Sequence, residues 1–264
     1  MKKIHSRKVA NKYMIKGLII LIYLSISALL IGFILNLYHS IVFALGIIFG
    51  AGTLYILEHK FLFFAGKYKG NIQGAIGEVD VADTLKEELD SCNLIVNSVV
   101  LPGYSGDIDH IVIGKHGVFV IETKTHKGKI SCYGDKWYQQ KIIGDKQVST
   151  DLGWSPSNQA KRNAILLREF LKERYPKLSN VFIETIAIFP NKETKLIIKK
   201  EPDNCRIIAS LKELINYILI RTLTYKTSNN NYKDLEFTEK DISELKDIFS
   251  NLTNFVEIGK KCNI

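Results

Sequence analysis

Apolar and polar positions change their spacing several times along the chain, and each change marks an element. From Gly17 to Leu57 there is no Asp, Glu, Lys or Arg. That stretch is too long for one bilayer crossing and suits two helices joined by a tight loop. The pattern predicts spans near residues 17–36 and 41–58, with Asn36-Leu-Tyr-His-Ser40 at the turn. From Gly74 to Leu89 the apolar residues Ile76, Val79, Ala82, Leu85 and Leu89 recur every three or four positions, as on one face of an amphipathic helix. Residues 92–101 then read as a first strand, and Pro102-Gly-Tyr-Ser-Gly106 as a loop. Ile108 to Ile113 and Val118 to Ile121 are β-branched runs on either side of Gly114-Lys-His-Gly117, which is a hairpin pattern. Residues 129–133 and 137–142 flank the turn Gly134-Asp135, so a sheet of at least five strands is expected.

Trp154-Ser-Pro-Ser-Asn158 interrupts the strands and opens a helix with a serine cap and a proline in the first turn. That helix is expected to reach about Arg174, burying Ala160, Ala164, Leu167 and Leu171, with Ile165 and Phe170 nearby. Residues 181–189 read as a buried strand, 196–199 and 206–208 as shorter ones, and 211–223 as a helix. Residues 227–233 form a polar loop. Residues 237–252 form a last helix that starts in a capping box of Thr238 and Asp241. The chain therefore divides into a basic N-terminus (1–16), a membrane hairpin (17–58), a connector (59–71), a domain (72–190) and a C-terminal extension (191–264) whose strands and helices pack on the domain.

Charge changes this picture in one respect. The formal net charge is +9, which taken whole would suggest a nucleic-acid binder. Residues 1–70 hold 9 basic and 1 acidic side chains, however, and residues 71–264 hold 27 basic and 26 acidic. The excess belongs to the anchor, where topology and anionic headgroups account for it. Lys2, Lys3, Arg7, Lys8, Lys12 and Lys16 precede the spans and Lys60, Lys67 and Lys69 follow them, so both termini and the soluble domain are expected on the cytoplasmic side of an inner membrane. A signal peptide fits less well, because the apolar run is long, lacks a small-x-small cleavage site and is followed by a second run. A composition rich in Lys, Ile and Asn is compatible with a bacterial protein. Cys92, Cys132, Cys205 and Cys262 form no Cys-x-x-Cys pair, so no zinc ribbon is implied.

The chemistry concentrates in the hairpin. If Ile113 faces Val118, then Asp109 faces Glu122 and Asp107 faces Lys124, and alternation puts Glu122 and Lys124 on one face. Two carboxylates this close repel unless a cation or a proton lies between them. Mg²⁺ is commonly held by one or two carboxylates together with water and substrate oxygens, and an ammonium beside it can stabilise an attacking hydroxide or a pentavalent phosphate. The plain alternative is a solvated acidic hairpin end with Lys124 paired to Asp107. Glu78 is either a reach into this site from the first helix or a first-turn acid favoured by the helix dipole. Gln159 either orients a water or phosphate or closes a loop. Trp137 and Tyr138, beside Lys136, read as packing residues rather than base-stacking ones.

Taken in order, Gly77-Glu78, Gly106-Asp-Ile-Asp-His-Ile-Val-Ile-Gly114, Gly117-Val-Phe-Val-Ile-Glu-Thr-Lys124 and Pro156-x-x-Gln159 leading Arg162-Asn163-Ala164 resemble the NERD, or nuclease-related, domain over about residues 72–190. That family is grouped with the PD-(D/E)xK restriction-endonuclease-like superfamily. The resemblance implies an α/β fold, a mixed sheet flanked by helices, here preceded by the two-helix transmembrane hairpin. It implies Asp109, Glu122 and Thr123 as ligands of Mg²⁺ or Mn²⁺, Lys124 as the group that stabilises the hydroxide or transition state, Glu78 as an extra acid and Gln159 as the polar residue after the sheet. The expected function is a membrane-anchored, metal-dependent nuclease whose substrate is DNA or RNA, with the lipid bilayer and a protein partner or second copy as further contacts. The alternative is a non-catalytic, membrane-tethered module for nucleic-acid binding or protein interaction. A pore or lipid-contact role for the hairpin is disfavoured by its lack of intramembrane charge.

Overall fold

Strands that are apolar at every position need cover on both faces, and this fold supplies it with helices. The computed structural model describes residues 2–35, 40–143, 146–221, 224–226, 232–234 and 236–260. They fall into two compact units, Met1–Ile76 and Gly77–Ile264.

The first unit holds helix α1 (Lys2–Leu35) and most of helix α2 (Ser40–Glu88). Among the described residues one helical segment, Lys16–Ile34, is long and apolar enough to cross a membrane. The second expected span, residues 41–58, is helical, although its first side chains lie outside the described ones. Residues 59–71, expected as a connector, are helical too, and α2 runs through them to Glu88. The stretch has no proline to interrupt the backbone hydrogen bonds.

The second unit is built on a six-stranded mixed sheet of β1 (Asn93–Val99), β2 (Ile108–Gly114), β3 (Gly117–Thr123), β7 (Ile183–Ile188), β9 (Arg206–Ile208) and β12 (Val256–Ile258), in the order β12-β1-β2-β3-β7-β9. β1, β2 and β3 form an antiparallel meander, and β3, β7 and β9 run parallel. Ile113 pairs with Val118 and His110 with Ile121, the register expected for the hairpin. One face of the sheet packs on α3 (Pro156–Arg174) and α5 (Glu239–Ser250), with Ile111, Ile113, Val118 and Val120 against Ala164, Leu167, Leu171, Leu245 and Phe249. The other face, through Val112, Phe119, Ile121 and Ile186, packs on the end of α2 and on α4 (Leu211–Leu219). Burying one such side chain contributes about 1.5–3 kcal/mol, so these two layers hold the sheet.

Sequence pattern located most elements correctly and missed several contacts. Ser155 caps α3 by accepting from the Asn158 N–H, with Pro156 in the first turn. Thr238 and Asp241 form the expected capping box of α5. The buried residues of α2 are Gly77, Val81 and Leu85, with Leu89 buried just past its end, whereas Ile76 is exposed and Val79 only half-buried. The buried stripe is turned because the helix packs its Gly77 side against the end of β3. Ile165, expected near the buried side of α3, is exposed.

The five-strand expectation also needs correction, because β4 (Gly128–Tyr133) and β5 (Lys136–Ile143) leave the first sheet. With β6 (Lys146–Asp151) and β8 (Thr194–Lys200) they form a second sheet, ordered β6-β5-β4-β8. The parallel pair β3 and β7 stops at Thr123 and Ile188 and resumes as the parallel pair β4 and β8. Across the gap the Lys124 N–H donates to the Ile188 carbonyl (2.9 Å), the Asn191 side chain to the Thr125 carbonyl (3.2 Å) and the Thr194 hydroxyl to the His126 carbonyl. Two strands thus turn together from one sheet into the next, and the acidic end of the hairpin lies at that turn. A further short pair, β10 (Thr224–Lys226) and β11 (Tyr232–Asp234), stands apart from both sheets.

Candidate active site

Asp109 and Glu122 lie one step beyond the last paired residues of the β2–β3 ladder. Alternation places both on the face that carries Ile111, Ile113, Val118 and Val120, the face covered by α3. The Thr123 N–H, which would otherwise lack a strand partner there, donates to Asp109 Oδ2 at 2.7 Å. The carboxylate therefore ends the ladder and is held by it. Both acids are buried, Asp109 at 8 % and Glu122 at 1 % exposure.

Lys124 Nζ lies 2.6 Å from Glu122 Oε1 and donates also to Gln159 Oε1 at 3.2 Å. The pairing with Asp107, the plain alternative, is not the one adopted. Glu122 Oε2 is buried with no hydrogen-bond partner, and so is Thr123 Oγ1. Leaving an ionised oxygen buried without a partner costs at least about 1–3 kcal/mol, so the site is incomplete as the protein alone forms it.

Electrostatics point the same way. Burial pushes the Asp109 carboxyl well above the usual carboxylate range, with Glu122 and then Glu78 adding to the shift and the Thr123 N–H opposing it. Burial also raises Glu122; the Lys124 ammonium opposes this, while Asp107 and Glu78 reinforce it. Glu78, half-buried on α2, thus acts on both acids. Its approach depends on Gly77, where a Cβ would overlap Thr125 Cγ2. Glycine lets the helix close onto the end of β3.

The donors are all oxygens, the set that suits a hard divalent cation, and two carboxylates with open coordination positions are what Mg²⁺ accepts. The orphaned Glu122 oxygen and the raised pair fit such an ion. Among the described residues no group of three or more His, Cys, Asp or Glu side chains is gathered closely enough to hold a metal. Glu78 is accordingly an electrostatic neighbour of the pair rather than a third member of a preformed cage.

The structure brings Asp109, Glu122, Thr123, Lys124 and Gln159 together, with Glu78 at their edge. It also brings residues for which the sequence suggested no role. The Lys124 ammonium stands 5.6 Å from the Trp154 ring centroid, and the His126 ring lies 4.5 Å from the same indole. Burial, reinforced by Lys124, lowers the His126 pKa. Asn163, one turn after Gln159, is buried with its Nδ2 unpartnered. The one available signal for Trp154 was an indole in a polar loop directly before the Ser155 cap. Trp137 behaves as expected: it is buried, stacks on Phe189 at 5.3 Å and donates to Ser157 Oγ.

Residues 73–190 match the family model described as NERD, nuclease-related domain. No curated protein and no solved structure matches the chain.

Proposed function

We propose that this chain, which carries a nuclease-related NERD domain over residues 73–190, is a membrane-anchored nuclease that hydrolyses nucleic-acid phosphodiesters with Mg²⁺ or Mn²⁺. The observation that carries the reading is the buried Asp109–Glu122 pair, with one oxygen unpartnered and a lysine at 2.6 Å. Asp109, Glu122 and Thr123 would hold the metal, which when bound supplies positive charge and Lewis acidity toward a phosphoryl oxygen. Lys124, steered by Glu122 and Gln159, keeps its ammonium where negative charge grows on an attacking hydroxide or a phosphoryl oxygen, which lowers the barrier without reorganisation. Gln159 fixes that ammonium and leaves its amide nitrogen for water or phosphate. Glu78 adds a negative charge that favours cation entry. Lys16–Ile34 is the first membrane span, residues 41–58 the second, and the basic flanks hold both termini in the cytoplasm.

Calorimetry with Mn²⁺ on the intact protein, followed by cleavage assays on single- and double-stranded DNA and RNA, tests this. Binding and cleavage both lost in Asp109→Ala are expected. Intact protein that binds metal and cleaves none of the four substrates overturns the nuclease reading. The near-neutral balance of residues 71–264 and the lack of a three-ligand group among the described residues support a second reading, a tethered binding module. That module would retain an oligonucleotide without turning it over.

A further inference from the structure

An open cleft of about 770 Å³ begins at Gln159 and extends away from the acidic pair, lined among others by Lys136, Trp154, Asn158 and Arg162. Its volume falls within the range of small-ligand sites, about 300–1,000 Å³. A smaller cavity of about 170 Å³ adjoins it and shares Arg162, with Tyr104, Ser105 and Asn163 in its wall. The unpartnered Asn163 Nδ2, on a side chain 2 % exposed, is a donor without an acceptor in that wall.

The two acids of the larger cleft are already engaged. Asp135 accepts from Lys161 at 2.7 and 2.8 Å and from Ser157 at 2.6 Å, and Asp151 accepts from the Gly153 N–H. Lys136 and Arg162 are exposed, and among the described residues no carboxylate pairs with the Arg162 guanidinium. What the cleft offers a ligand is therefore an indole, two cations and amide groups. An aromatic ring combined with cations along a groove is the chemistry that holds single-stranded nucleic acid. A base inside a duplex has both faces covered by its neighbours, so an indole recessed in a cleft can stack only on an unpaired one.

We propose that this cleft is the subsite for an unpaired nucleotide of a single-stranded substrate, its base on Trp154 and an adjoining phosphate on Arg162, with Asn163 completing the phosphate contact. This rests on the nuclease reading, and it names the substrate class: strands that are single-stranded beside the scissile bond. Trp154 also contacts the Lys124 ammonium, so a base seated there sets the distance between its own phosphate and the acidic pair.

The test is fluorescence anisotropy of the full-length chain in detergent micelles, in EDTA to prevent turnover, with labelled octathymidylate, octauridylate and a blunt DNA hairpin of eight base pairs. Either octamer should bind at least about tenfold tighter than the hairpin and quench tryptophan emission; Trp154→Ala should lose about tenfold in octamer affinity, as expected for one stacked base, together with the quenching. Trp154→Phe should restore most of the affinity, which separates stacking from misfolding, and Arg162→Gln should flatten the salt dependence. Equal affinity for the hairpin, or Trp154→Ala binding as well as the unaltered protein, overturns the subsite. Binding that follows this pattern without cleavage in Mn²⁺ removes the nuclease reading and leaves the subsite standing. Cleavage that is indifferent to Trp154→Ala, or failure of every oligonucleotide to bind in EDTA, removes the subsite alone.

Discussion

Two buried acidic centres lie in the same compact unit, and they are built in opposite ways. Asp241, at the start of α5, accepts from Tyr175 Oη at 2.5 Å, from Lys177 Nζ at 2.7 and 2.8 Å, and from the Thr238 N–H and hydroxyl. Burial alone would raise its pKa, but the hydrogen bonds from Lys177, Tyr175 and Thr238 hold the carboxyl far below the usual range. Asp109 and Glu122 are as buried, and their pKa values move up, because each faces another carboxylate and Glu122 Oε2 has no partner. One centre is closed by the protein's own donors and ties the start of α5 to the turn that follows α3. The other is left unsatisfied at the break between two sheets, which is where an external cation and a phosphate can complete it. What a buried acid lacks is therefore what marks the candidate site here.

Lys124→Ala is the sharpest way to break the contrast. It removes the one cation of the open centre, and cleavage should fall by about 10²–10³-fold, the loss seen when one transition-state donor is removed, measured as single-turnover rate in Mn²⁺. Asp241→Ala should leave the rate per folded molecule intact and instead destabilise the fold by about 2–4 kcal/mol, from the lost cap and charged hydrogen bonds, measured by urea unfolding. The pH dependence follows from the depressed value. The Asp241 contribution is complete above the ordinary aspartate value of 3.8 and is lost as pH falls below it toward the folded-state value. In Asp241→Ala that acid limb should shrink.

Gly77→Ala probes how Glu78 is delivered. The new methyl overlaps Thr125, so the helix or the Thr125 rotamer must shift, and a displacement on that scale should lower cleavage about ten- to hundredfold with little change in melting temperature. Retained activity would mean that Glu78 need not approach so closely.

The smallest effect is the most diagnostic. Asp109→Asn should make the metal-free protein about 1 kcal/mol more stable at neutral pH, because it relieves a buried like-charge pair. Because the folded-state value is raised, the penalty in the unaltered protein is absent below pH 3.8 and grows as pH rises toward that value. The two proteins should therefore converge in acid. Excess Mn²⁺ should reverse the order, since only the unaltered protein gains stability by binding it, about 2.7 kcal/mol at a hundredfold excess over Kd. A variant less stable than the parent at every pH would show that the pair is satisfied by the fold after all.

What the sequence determined by itself was local. Residue type and spacing specify the hairpin register, since a two-residue turn and period-two alternation leave Asp109 only Glu122 to face, and they specify the Ser155 and Thr238 caps, whose donors and acceptors lie three residues apart. Most of the acidic centre was legible for that reason, as Asp109, Glu122, Thr123 and Lys124 come from one hairpin, and the ordered motifs carried Glu78 and Gln159. Only the tertiary structure decided the rest. Nothing in residues 128–143 says that β4 and β5 will leave the first sheet, because that choice is made by pairing with β8, more than fifty residues later in the chain. Nor could the pattern tell that β12 would close the sheet edge beside β1, that Gly77 would turn the buried stripe of α2 by setting how closely the helix packs, or that of the two tryptophans at the cleft Trp137 would be buried and Trp154 only half-buried. Side chains distant in sequence meet at a distance set by packing. Periodicity carries the direction in which each residue points, and only the closed core sets what it reaches.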